Sequence, residues 1–320
     1  MHEKETVCSV VVTYNRKKLL LECIESLRNT QSLTAIYLID NASTDGTPQA
    51  LLKKRYINEV PPEVINKSWE TTKSDIMAGL DERLTLHYVR LSENTGGAGG
   101  FHEGVKRAYE KGYDWLWLMD DDAESEHDTL ENMLAIAKKK DIKAVCPLIL
   151  GENNLIQRYH HKRFDFLGRE RSVLEKEGVN DLLDQYLLIK EDANAFVGLM
   201  VHRNVVRNIG FPMKELFIWG DDTEYTLRIS KYAGLHLFTG ALIKHKDKNY
   251  AFQKALPREL YWKVYYAVRN RLWIYPFHFG LIPRFFILVK TFLSLFDPAI
   301  DYELKKIKFS ALMDGLFRRP

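Results

Sequence analysis

Three consecutive aspartates follow an apolar segment in the stretch WLWLMDDDAE, residues 115–124. Three like charges in a row repel one another, and a buried strand before them removes part of their hydration, so their pKa values should rise unless a cation compensates. Hard divalent cations prefer oxygen ligands and commonly bridge to a diphosphate. We therefore interpret Asp120, Asp121 and Asp122 as a candidate site for a metal ion and a diphosphate, with a solvated acidic turn as the structural alternative.

A second group of acids occurs in WGDDTEY, residues 219–225. Asp221, Asp222 and Glu224 lie at the N-terminus of a predicted helix, where the helix dipole stabilises acids, so a capping cluster is the structural explanation. A carboxylate that acts as a general base is the functional one. His245 follows in IKHKD at the end of a predicted strand, and a single histidine is a candidate ligand only together with nearby acids.

A glycine-rich segment, ENTGGAGGF, spans residues 93–101 and opens a predicted helix. Its glycines permit close backbone approach, and N–H groups at a helix N-terminus favour anions. The segment is not a GxxxxGK[ST] loop and follows a strand other than the first, so a dinucleotide fingerprint fits poorly. Asn94 and Gly97 are the candidate ligand-binding residues here, and a simple tight turn is the alternative.

The spacing of apolar residues predicts the elements that position these side chains. Short apolar segments predict buried strands, and their alternation with helices indicates a parallel sheet with right-handed crossovers. The predicted strands are 7–12, 35–39, 86–91, 115–119, 143–150, 194–201 and 235–240. Ligands bind at the carboxyl ends of such strands. We therefore expect the polar residues after the first four strands to meet at one edge: Thr13, Arg16, Asp40, Asn94, Gly97, and Asp120 to Asp122.

Composition and length favour one α/β domain, residues 1–250, followed by a C-terminal helical region, residues 251–320. The chain has 320 residues, 46% of them hydrophobic, and a net charge of only +3, which argues against a general nucleic-acid binder. The polar segment 56–84 reads as an insertion with some helix. The N-terminal sequence lacks a signal pattern and the three cysteines lie in apolar contexts, so we expect a cytoplasmic protein with buried thiols.

The C-terminal region interleaves aromatic residues with Arg and Lys over residues 257–296. A helical cap packed on the domain is one interpretation. The other is an interfacial surface that faces anionic lipid, which predicts peripheral contact with the inner face of the cell membrane. No recognised nucleic-acid-binding motif is present, so we expect no nucleic-acid partner.

Five segments taken together resemble a known family: VVVTYNR, LIDNASTDGT, NTGGAGGF, LWLMDDDAE and WGDDTEY. Their order resembles an inverting nucleotide-sugar glycosyltransferase of glycosyltransferase family two, with the GT-A fold, from residue 7 to about 250. The last three together resemble the galactofuranosyltransferase branch, and related rhamnosyltransferases share several of them. The resemblance implies a UDP-sugar donor, Mn²⁺ or Mg²⁺ as cofactor, and a glycan or lipid-linked glycan acceptor in bacterial surface polysaccharide synthesis. The larger galactan polymerases have a long N-terminal β-rich domain that this chain lacks, which favours addition of one or a few sugars.

The resemblance also implies roles for individual residues. It assigns the outer acids, Asp120 and Asp122, to the metal ion together with His245, and it makes Asp222 the general base. The remaining assignments are the diphosphate for Thr13 and Arg16, the uracil edge for Asp40, the sugar or ribose for Asp121, and the acceptor side for Trp219, Asp221 and Glu224.

Other functions remain open at the level of sequence. Within the same class, the donor could be dTDP-rhamnose or a UDP-hexose other than UDP-galactofuranose. A nucleotidyltransferase could also use an acidic metal site, but it would need a Gly-rich, Lys-bearing loop after the first strand, and TYNRKK has no glycine. A non-catalytic sugar-nucleotide-binding protein would not need Asp222.

Overall fold

The structure, a computed structural model, describes residues 5–77, 83–174, 178–185, 187–246 and 256–318. The strands are β1 Val7–Thr13, β2 Ala35–Asp40, β3 Trp69–Met77, β4 Arg83–Arg90, β5 Trp115–Asp120, β6 Ala123–Ser125, β7 Ala144–Gly151, β8 Lys162–Phe164, β9 Glu170–Ser172, β10 Leu188–Glu191, β11 Leu199–His202 and β12 Leu235–His245. The α-helices are α1 Lys17–Arg28, α2 Thr47–Lys53, α3 Gly96–Lys111, α4 Thr129–Lys140, α5 Val179–Gln185, α6 Arg203–Ile209, α7 Asp221–Ala233, α8 Tyr261–Phe279, α9 Leu281–Ser294 and α10 Tyr302–Phe317.

One mixed sheet dominates the fold, in the strand order β10-β12-β7-β11-β5-β1-β2-β4-β3. The neighbours β5, β1, β2 and β4 are parallel, as are β7 and β12, and β6 pairs with the end of β12. The predicted mostly parallel sheet flanked by helices is therefore confirmed. Among the described residues of this sheet, four strands run antiparallel to their neighbours: β3 and β10 at the two edges, β11 between β5 and β7, and β6 against the end of β12.

The prediction of some helix within residues 56–84 is wrong for the residues that the structure describes there. Residues 69–77 form the edge strand β3, which pairs antiparallel with β4. From residue 69 to 74, half-buried and exposed side chains alternate, which is the two-residue period of a strand rather than the period of a helix. Polar Glu70, Thr72 and Ser74 lie on the exposed face of this edge strand, and Thr71 and Lys73 on its half-buried face are polar as well, which hides the strand signal in the sequence.

Alternate residues of the central strands build two cores, one on each face of the sheet. In β1, Val7 and Val11 pack with α1, α2 and α4, whereas Cys8 and Val10 pack with α3, α6 and α7. Burying a side chain of this size contributes roughly 1.5–3 kcal/mol. All three cysteines are free and buried, as predicted. Helices thus cover both faces of the central strands, and the ends of these strands remain open to ligands.

The C-terminal helices form a separate layer in which α8 packs against α9 and α10. At the crossing of α8 and α10, a Cβ on Gly315 would lie 2.5 Å from a methyl of Leu272, so the two helices approach closely. The layer contacts the rest of the chain through Ile274, which packs with Ala98 of α3 and with Leu216. In the described part of the chain, no helix combines the length and the apolar character that a membrane span requires.

Candidate active site

A cavity of about 790 Å³ opens at the carboxyl edge of the sheet. Polar residues that follow β1, β2, β4 and β5 contribute to its wall, as the parallel order of these strands predicts. The opposite wall comes from the 217–223 segment and from α8. The cavity lining therefore combines residues from both sides of the predicted domain boundary near residue 250: the sheet and the 217–223 segment before it, and α8 after it.

Three predicted metal ligands come together in this cavity. One potential ligand atom from each of Asp120, Asp122 and His245 lies within 4.8 Å of the other two. The sheet explains this proximity, because β6 follows directly after the aspartates and pairs antiparallel with the end of β12, with Ala123 opposite His245. Two carboxylates and an imidazole form a donor set that suits Mn²⁺ and related divalent cations.

The hydrogen bonds of His245 fit a bound cation. The side-chain amide of Gln157 donates from Nε2 to the His245 carbonyl at 3.3 Å, which turns its Oε1 towards His245 Nδ1, 2.8 Å away. Nδ1 must then carry the proton, and the lone pair of Nε2 faces Asp122 Oδ1 at 3.2 Å. That oxygen is buried and has no hydrogen-bond partner among the described residues. The two atoms repel unless a second proton or a metal ion lies between them.

The three aspartates differ in their electrostatic environments. Burial, and then repulsion by Asp122 and Asp121, raises the pKa of Asp120 well above its usual value. Burial also raises the pKa of Asp121 to about 6, although the charge of Arg16 opposes the shift. Burial acts to raise the pKa of Asp122 as well, but His245, when it carries a second proton, and Arg16 outweigh burial and lower that pKa. Such a cluster gains stability from a cation that neutralises it.

Thr13 and Arg16 lie on the cavity wall and hold two of these acids. The Thr13 hydroxyl donates to Asp121 Oδ2 at 2.7 Å, and Arg16 Nη1 contacts Asp121 Oδ1 at 2.9 Å and Asp122 Oδ2 at 2.8 Å. Both carboxylate oxygens of Asp121 therefore already have hydrogen-bond partners. Arg16 remains partly exposed at the cavity, where its charge also faces an incoming anion.

The predicted acceptor side lies where α7 begins. Gly220 precedes the helix, and both Asp221 and Asp222 line the cavity together with the ring of Trp219. Burial, followed by repulsion from Asp222, raises the pKa of Asp221 to about 8. Asp222 is the more exposed of the two.

Two predicted site residues lie outside the cavity lining. Asp40 is fully buried, and its carboxylate accepts from Arg90, the Tyr88 hydroxyl and the Ser43 amide. The structure thus gives Asp40 three internal partners at the end of β2.

Glu224 is the second of these residues. It is also buried, ion-paired with Arg228 at 2.8 Å, and its Oε1 lies 3.5 Å from His278 Nε2 on α8. These contacts connect α7 to α8 behind the cavity.

The glycine-rich segment brings the two walls together. Asn94 accepts a hydrogen bond from Gly96 N at 2.9 Å, and both Asn94 and Gly97 line the cavity. Gly96 has a φ of +72°, and a Cβ there would lie 2.0 Å from the carbonyl oxygen of Phe217, so only glycine fits. The next amide but one, Ala98 N, donates to the same oxygen at 3.0 Å. The close backbone approach expected for a ligand is therefore made, at Gly96, by the chain itself.

Several cavity or supporting residues were not identified from the sequence. Gln157, which orients His245, lies in the irregular segment after β7, where no pattern marks it. On α8, the side chains that line the cavity follow a helical repeat and include Lys263 and Asn270. That repeat could have been found, but aromatic residues on every face of α8 obscure it. Trp262 also lines the cavity, and Lys263 Nζ lies 5.5 Å from the ring centroid of Trp219.

Comparison with protein families gives one match, to the model described as Glycosyl transferase family 2, over residues 8–81 and 74–210. The chain is 27% identical over 228 residues to galactofuranosyltransferase GlfT1 from Mycobacterium tuberculosis, which covers 70% of this chain and 64% of that protein. The corresponding protein from Mycolicibacterium smegmatis is 26% identical over 231 residues, covering 72% of this chain and 67% of that protein. The chain thus spans about two thirds of the length of these relatives.

Solved structures share the fold. The crystal structure of GalNAc-T7 with UDP, GalNAc and Mn²⁺ matches 96% of this chain and 55% of that chain, with a TM-score of 0.62 and 17% identity. The structure of S. aureus TarS 1–349 in complex with UDP-GlcNAc matches 98% of this chain and 72% of that chain, with a TM-score of 0.50 and 15% identity. At these identities the likeness concerns the fold alone.

Proposed function

Because the chain belongs to glycosyl transferase family 2, we propose that it is a metal-dependent inverting glycosyltransferase. The proposed reaction moves galactofuranose from UDP-galactofuranose to a hydroxyl of a glycan acceptor, in the synthesis of a bacterial surface polysaccharide. One observation carries the proposal: the Asp120, Asp122 and His245 cluster shares a cavity with the accessible carboxylate of Asp222. The similarity to galactofuranosyltransferases supports the choice of donor sugar.

In this mechanism Asp120, Asp122 and His245 would hold the divalent cation. Such a cation, when bound, neutralises the diphosphate leaving group. Asp222 accepts the proton of the acceptor hydroxyl while the oxygen forms a bond to the anomeric carbon. The bond from that carbon to the diphosphate oxygen breaks at the same time, and its electron pair leaves with UDP. Attack opposite the leaving group inverts the anomeric centre, so no covalent enzyme intermediate forms.

The remaining residues of the cavity take supporting roles. Arg16 adds a positive charge beside the cluster, where it favours the diphosphate. Thr13 holds Asp121 in place. We assign the acceptor to the side of the cavity where Trp219 and Trp262 present aromatic rings, because sugar rings stack on such surfaces through their C–H faces. Asp40 and Glu224 are left out of this mechanism because neither lines the cavity.

A donor panel tests the proposal. Purified protein with Mn²⁺ would be offered UDP-galactofuranose, UDP-galactopyranose, UDP-glucose and dTDP-rhamnose, with a galactose-terminated acceptor, and the products identified by mass spectrometry and NMR. We expect transfer from UDP-galactofuranose with inversion. Transfer from dTDP-rhamnose or another UDP-hexose instead would replace the donor assignment. Binding of these donors without transfer or hydrolysis of any of them would favour a non-catalytic binding protein and overturn the enzyme.

We further propose that the acceptor is lipid-linked and that the protein contacts the inner face of the cell membrane through α9. This helix carries its apolar side outwards. Pro283 and Thr291 are buried, whereas a stripe of apolar side chains is between 37% and 70% exposed. The stripe, hereafter the α9 stripe, consists of Ile282, Phe285, Phe286, Val289, Phe292, Leu293 and Phe296. An amphipathic helix whose apolar side has no protein partner in the described chain suits the interfacial region of a bilayer.

The charges around the α9 stripe favour anionic lipid over a second protein copy. The only charged residues within α9 are Arg284 and Lys290, and both are cations. Burial lowers the pKa of Lys308 on α10; the charge of Asp297, just after the stripe, opposes this shift, and the charge of Lys290 adds to it, so one anion lies among these cations. Two copies joined along this face by a two-fold axis would bring like charges together, whereas anionic headgroups would neutralise them.

Vesicle flotation tests the membrane contact. Wild-type protein should float with vesicles that contain phosphatidylglycerol and less with pure phosphatidylcholine vesicles. Replacement of Phe285 and Phe292 by Ser should abolish flotation. Phe166→Ser is the matched control, because Phe166 is 81% exposed but lies outside the C-terminal helices. Equal flotation of both variants, or a stable dimer in sedimentation that the Phe285 and Phe292 changes dissolve, would contradict the proposal.

A further inference from the structure

The segment between Leu216 and Gly220 has an unusual backbone. Phe217 has φ 64° and ψ −63°, and Ile218 N donates to Leu216 O at 2.8 Å, which together define a γ-turn of the rare, strained kind. Trp219 also has a positive φ, of 61°. Side chains with a Cβ avoid this region, so such a segment persists only when its surroundings hold it in place. We call residues 216–220 the γ-turn loop.

One side chain of α8 holds this loop. The Asn270 amide nitrogen donates to Leu216 O at 2.9 Å, to Ile218 O at 3.0 Å and to Trp219 O at 2.8 Å. Asn270 is 1% exposed, so water does not compete for these carbonyl groups. The two N–H bonds of one amide are thus shared among three backbone acceptors within four residues of strained chain.

A neighbouring cation fixes the orientation of that amide. Arg269 donates from Nε at 3.0 Å and from Nη2 at 2.8 Å to Asn270 Oδ1. The same Nη2 also reaches Glu215 O at 2.8 Å. Because Arg269 occupies the carbonyl end of the Asn270 side chain, the NH₂ end must point into the γ-turn loop. The two residues therefore act as one clamp on the loop.

The clamp controls the start of α7, which comes directly after the loop. Asp221 and Asp222 are the first residues of this helix, so the path of the loop sets where these carboxylates enter the cavity. On its other side the loop is fixed by α3, through Ala98 N and Phe217 O. The acids of the metal cluster, by contrast, lie on sheet strands that Asn270 does not contact.

We propose that Asn270, oriented by Arg269, is a positioning residue that sets the placement of Trp219 and Asp222 for the acceptor reaction. The proposal rests on the proposed function. It assigns to α8 a role in turnover that is separate from donor binding. An alanine at position 270 would remove the Asn270 donor from Ile218 O and Trp219 O and would release this part of the γ-turn loop, whereas Leu216 O would keep Ile218 N at 2.8 Å and Arg269 Nη2 at 3.1 Å as donors.

The test compares Asn270→Ala with Tyr265→Phe. Tyr265 lies on the same helix, donates a hydrogen bond to Asp314 of α10 at 2.5 Å, and lies outside the cavity lining; its ring centroid is 5.4 Å from the Arg269 guanidinium carbon, and phenylalanine keeps that ring. For Asn270→Ala we expect a fall in kcat of about 10–100-fold, because small displacements of reacting groups cost rates of that order. The Kd of UDP in the presence of Mn²⁺ should stay within about twofold of wild type, because the metal cluster and Arg16 have no hydrogen bond to the loop among the described residues, and the contact of the loop with the glycine-rich segment, from Ala98 N to Phe217 O, does not depend on Asn270. Tyr265→Phe should leave both quantities unchanged.

Hydrogen exchange gives a readout that does not depend on activity. Amides of residues 217–222 should exchange faster in Asn270→Ala than in wild type or Tyr265→Phe. Asn270→Asp keeps the side-chain shape and the contact with Arg269 but turns an acceptor towards the three carbonyl groups, so it should reproduce the loss of kcat if the alanine variant does not fold. An unchanged kcat, an unchanged exchange rate, or a parallel loss of UDP binding and kcat would overturn the proposal. If wild type transfers no sugar in the donor panel, the proposed function fails, and the exchange experiment still reports on the clamp.

Discussion

The two walls of the cavity are built in different ways. On one wall, Asp120, Asp122 and His245 lie at the ends of sheet strands, and strand pairing alone brings them within 4.8 Å of each other. On the other wall, Asp222 follows a strained loop whose position depends on α3 and α8. The sheet wall carries the candidate metal cluster, whereas the helical wall carries the proposed base.

The difference suggests separate roles for the two walls, one in donor and metal binding and the other in turnover. Buried like charges need a framework that cannot relax away from them, and parallel strands with Arg16 and Gln157 behind them provide one. The proposed base, Asp222, lies at a helix N-terminus, where the γ-turn loop held by Asn270 sets its position. Changes to the sheet wall should therefore affect donor and metal binding, and changes to the helical wall should affect turnover.

The largest expected effect is the loss of turnover when the proposed base on the helical wall, Asp222, is replaced. Asp222→Asn should lower kcat by about 10²–10⁴-fold, the range typical for loss of a general base. UDP binding with Mn²⁺ should remain close to wild type, because the metal cluster is intact. Asp128→Asn, at an exposed carboxylate remote from the cavity, is the control. Unchanged turnover in Asp222→Asn would remove this residue as the base, and a parallel loss of UDP binding would erase the distinction between the walls.

A smaller effect, on Mn²⁺ affinity, is expected when Gln157 behind the sheet wall is replaced. Gln157→Leu removes the acceptor for His245 Nδ1, so the ring is no longer oriented and Mn²⁺ affinity should fall by about 10–100-fold. Gln157→Glu keeps an acceptor at the same place and should retain most of that affinity. Manganese titration followed by electron paramagnetic resonance measures both variants. If Leu and Glu variants bind Mn²⁺ equally well, Gln157 has no part in ligand orientation.

The smallest expected effect is on stability as a function of pH. The pKa of Asp121 is raised to about 6 and that of Asp221 to about 8, mainly by burial, so the folded protein binds protons more tightly than the unfolded chain. Stability from these groups is complete below the unfolded carboxyl pKa, near 4, and is lost as the pH rises through 6 to 8.

Divalent cations should reverse part of this loss. In EDTA, Tm should fall between pH 5.5 and pH 8.5, and Mn²⁺ should raise Tm more at pH 8.5, where protons no longer compete for the carboxylates of Asp120 and Asp122. Asp221→Asn should flatten the EDTA profile without changing the gain from Mn²⁺. Thermal unfolding monitored by circular dichroism measures these shifts. A gain from Mn²⁺ that is larger at pH 5.5 would contradict the electrostatic account.

The sheet wall could be predicted from the sequence because its signals are local. A run of apolar residues that ends in Asp120 to Asp122 identifies both a strand and its open end, and parallel order then brings strand ends together. The same reasoning predicts Asp40 at the site. The sequence pattern does not show that Arg90 and Tyr88, on the neighbouring strand β4, donate hydrogen bonds to the Asp40 carboxylate.

The helical wall could not be predicted in the same way. Asn270 acts on backbone carbonyl groups, which every sequence provides, so no residue pattern in the loop marks its partner. The glycines at 96–100 gave a signal for close approach, but the approaching group at Gly96 is the Phe217 carbonyl rather than a ligand. Such contacts between distant segments become visible only when the tertiary structure is known.

Calorimetric titration of UDP, in Mn²⁺ and in EDTA, tests the central claim most directly, namely that the acids of the sheet wall bind a sugar nucleotide through a divalent cation. Wild type and Asp122→Asn would be compared under both conditions. The account predicts saturable binding to wild type in Mn²⁺, and binding weaker by at least about 100-fold both in EDTA and in Asp122→Asn. Equal binding with and without Mn²⁺, or an Asp122→Asn variant that keeps the full Mn²⁺ dependence, would contradict it.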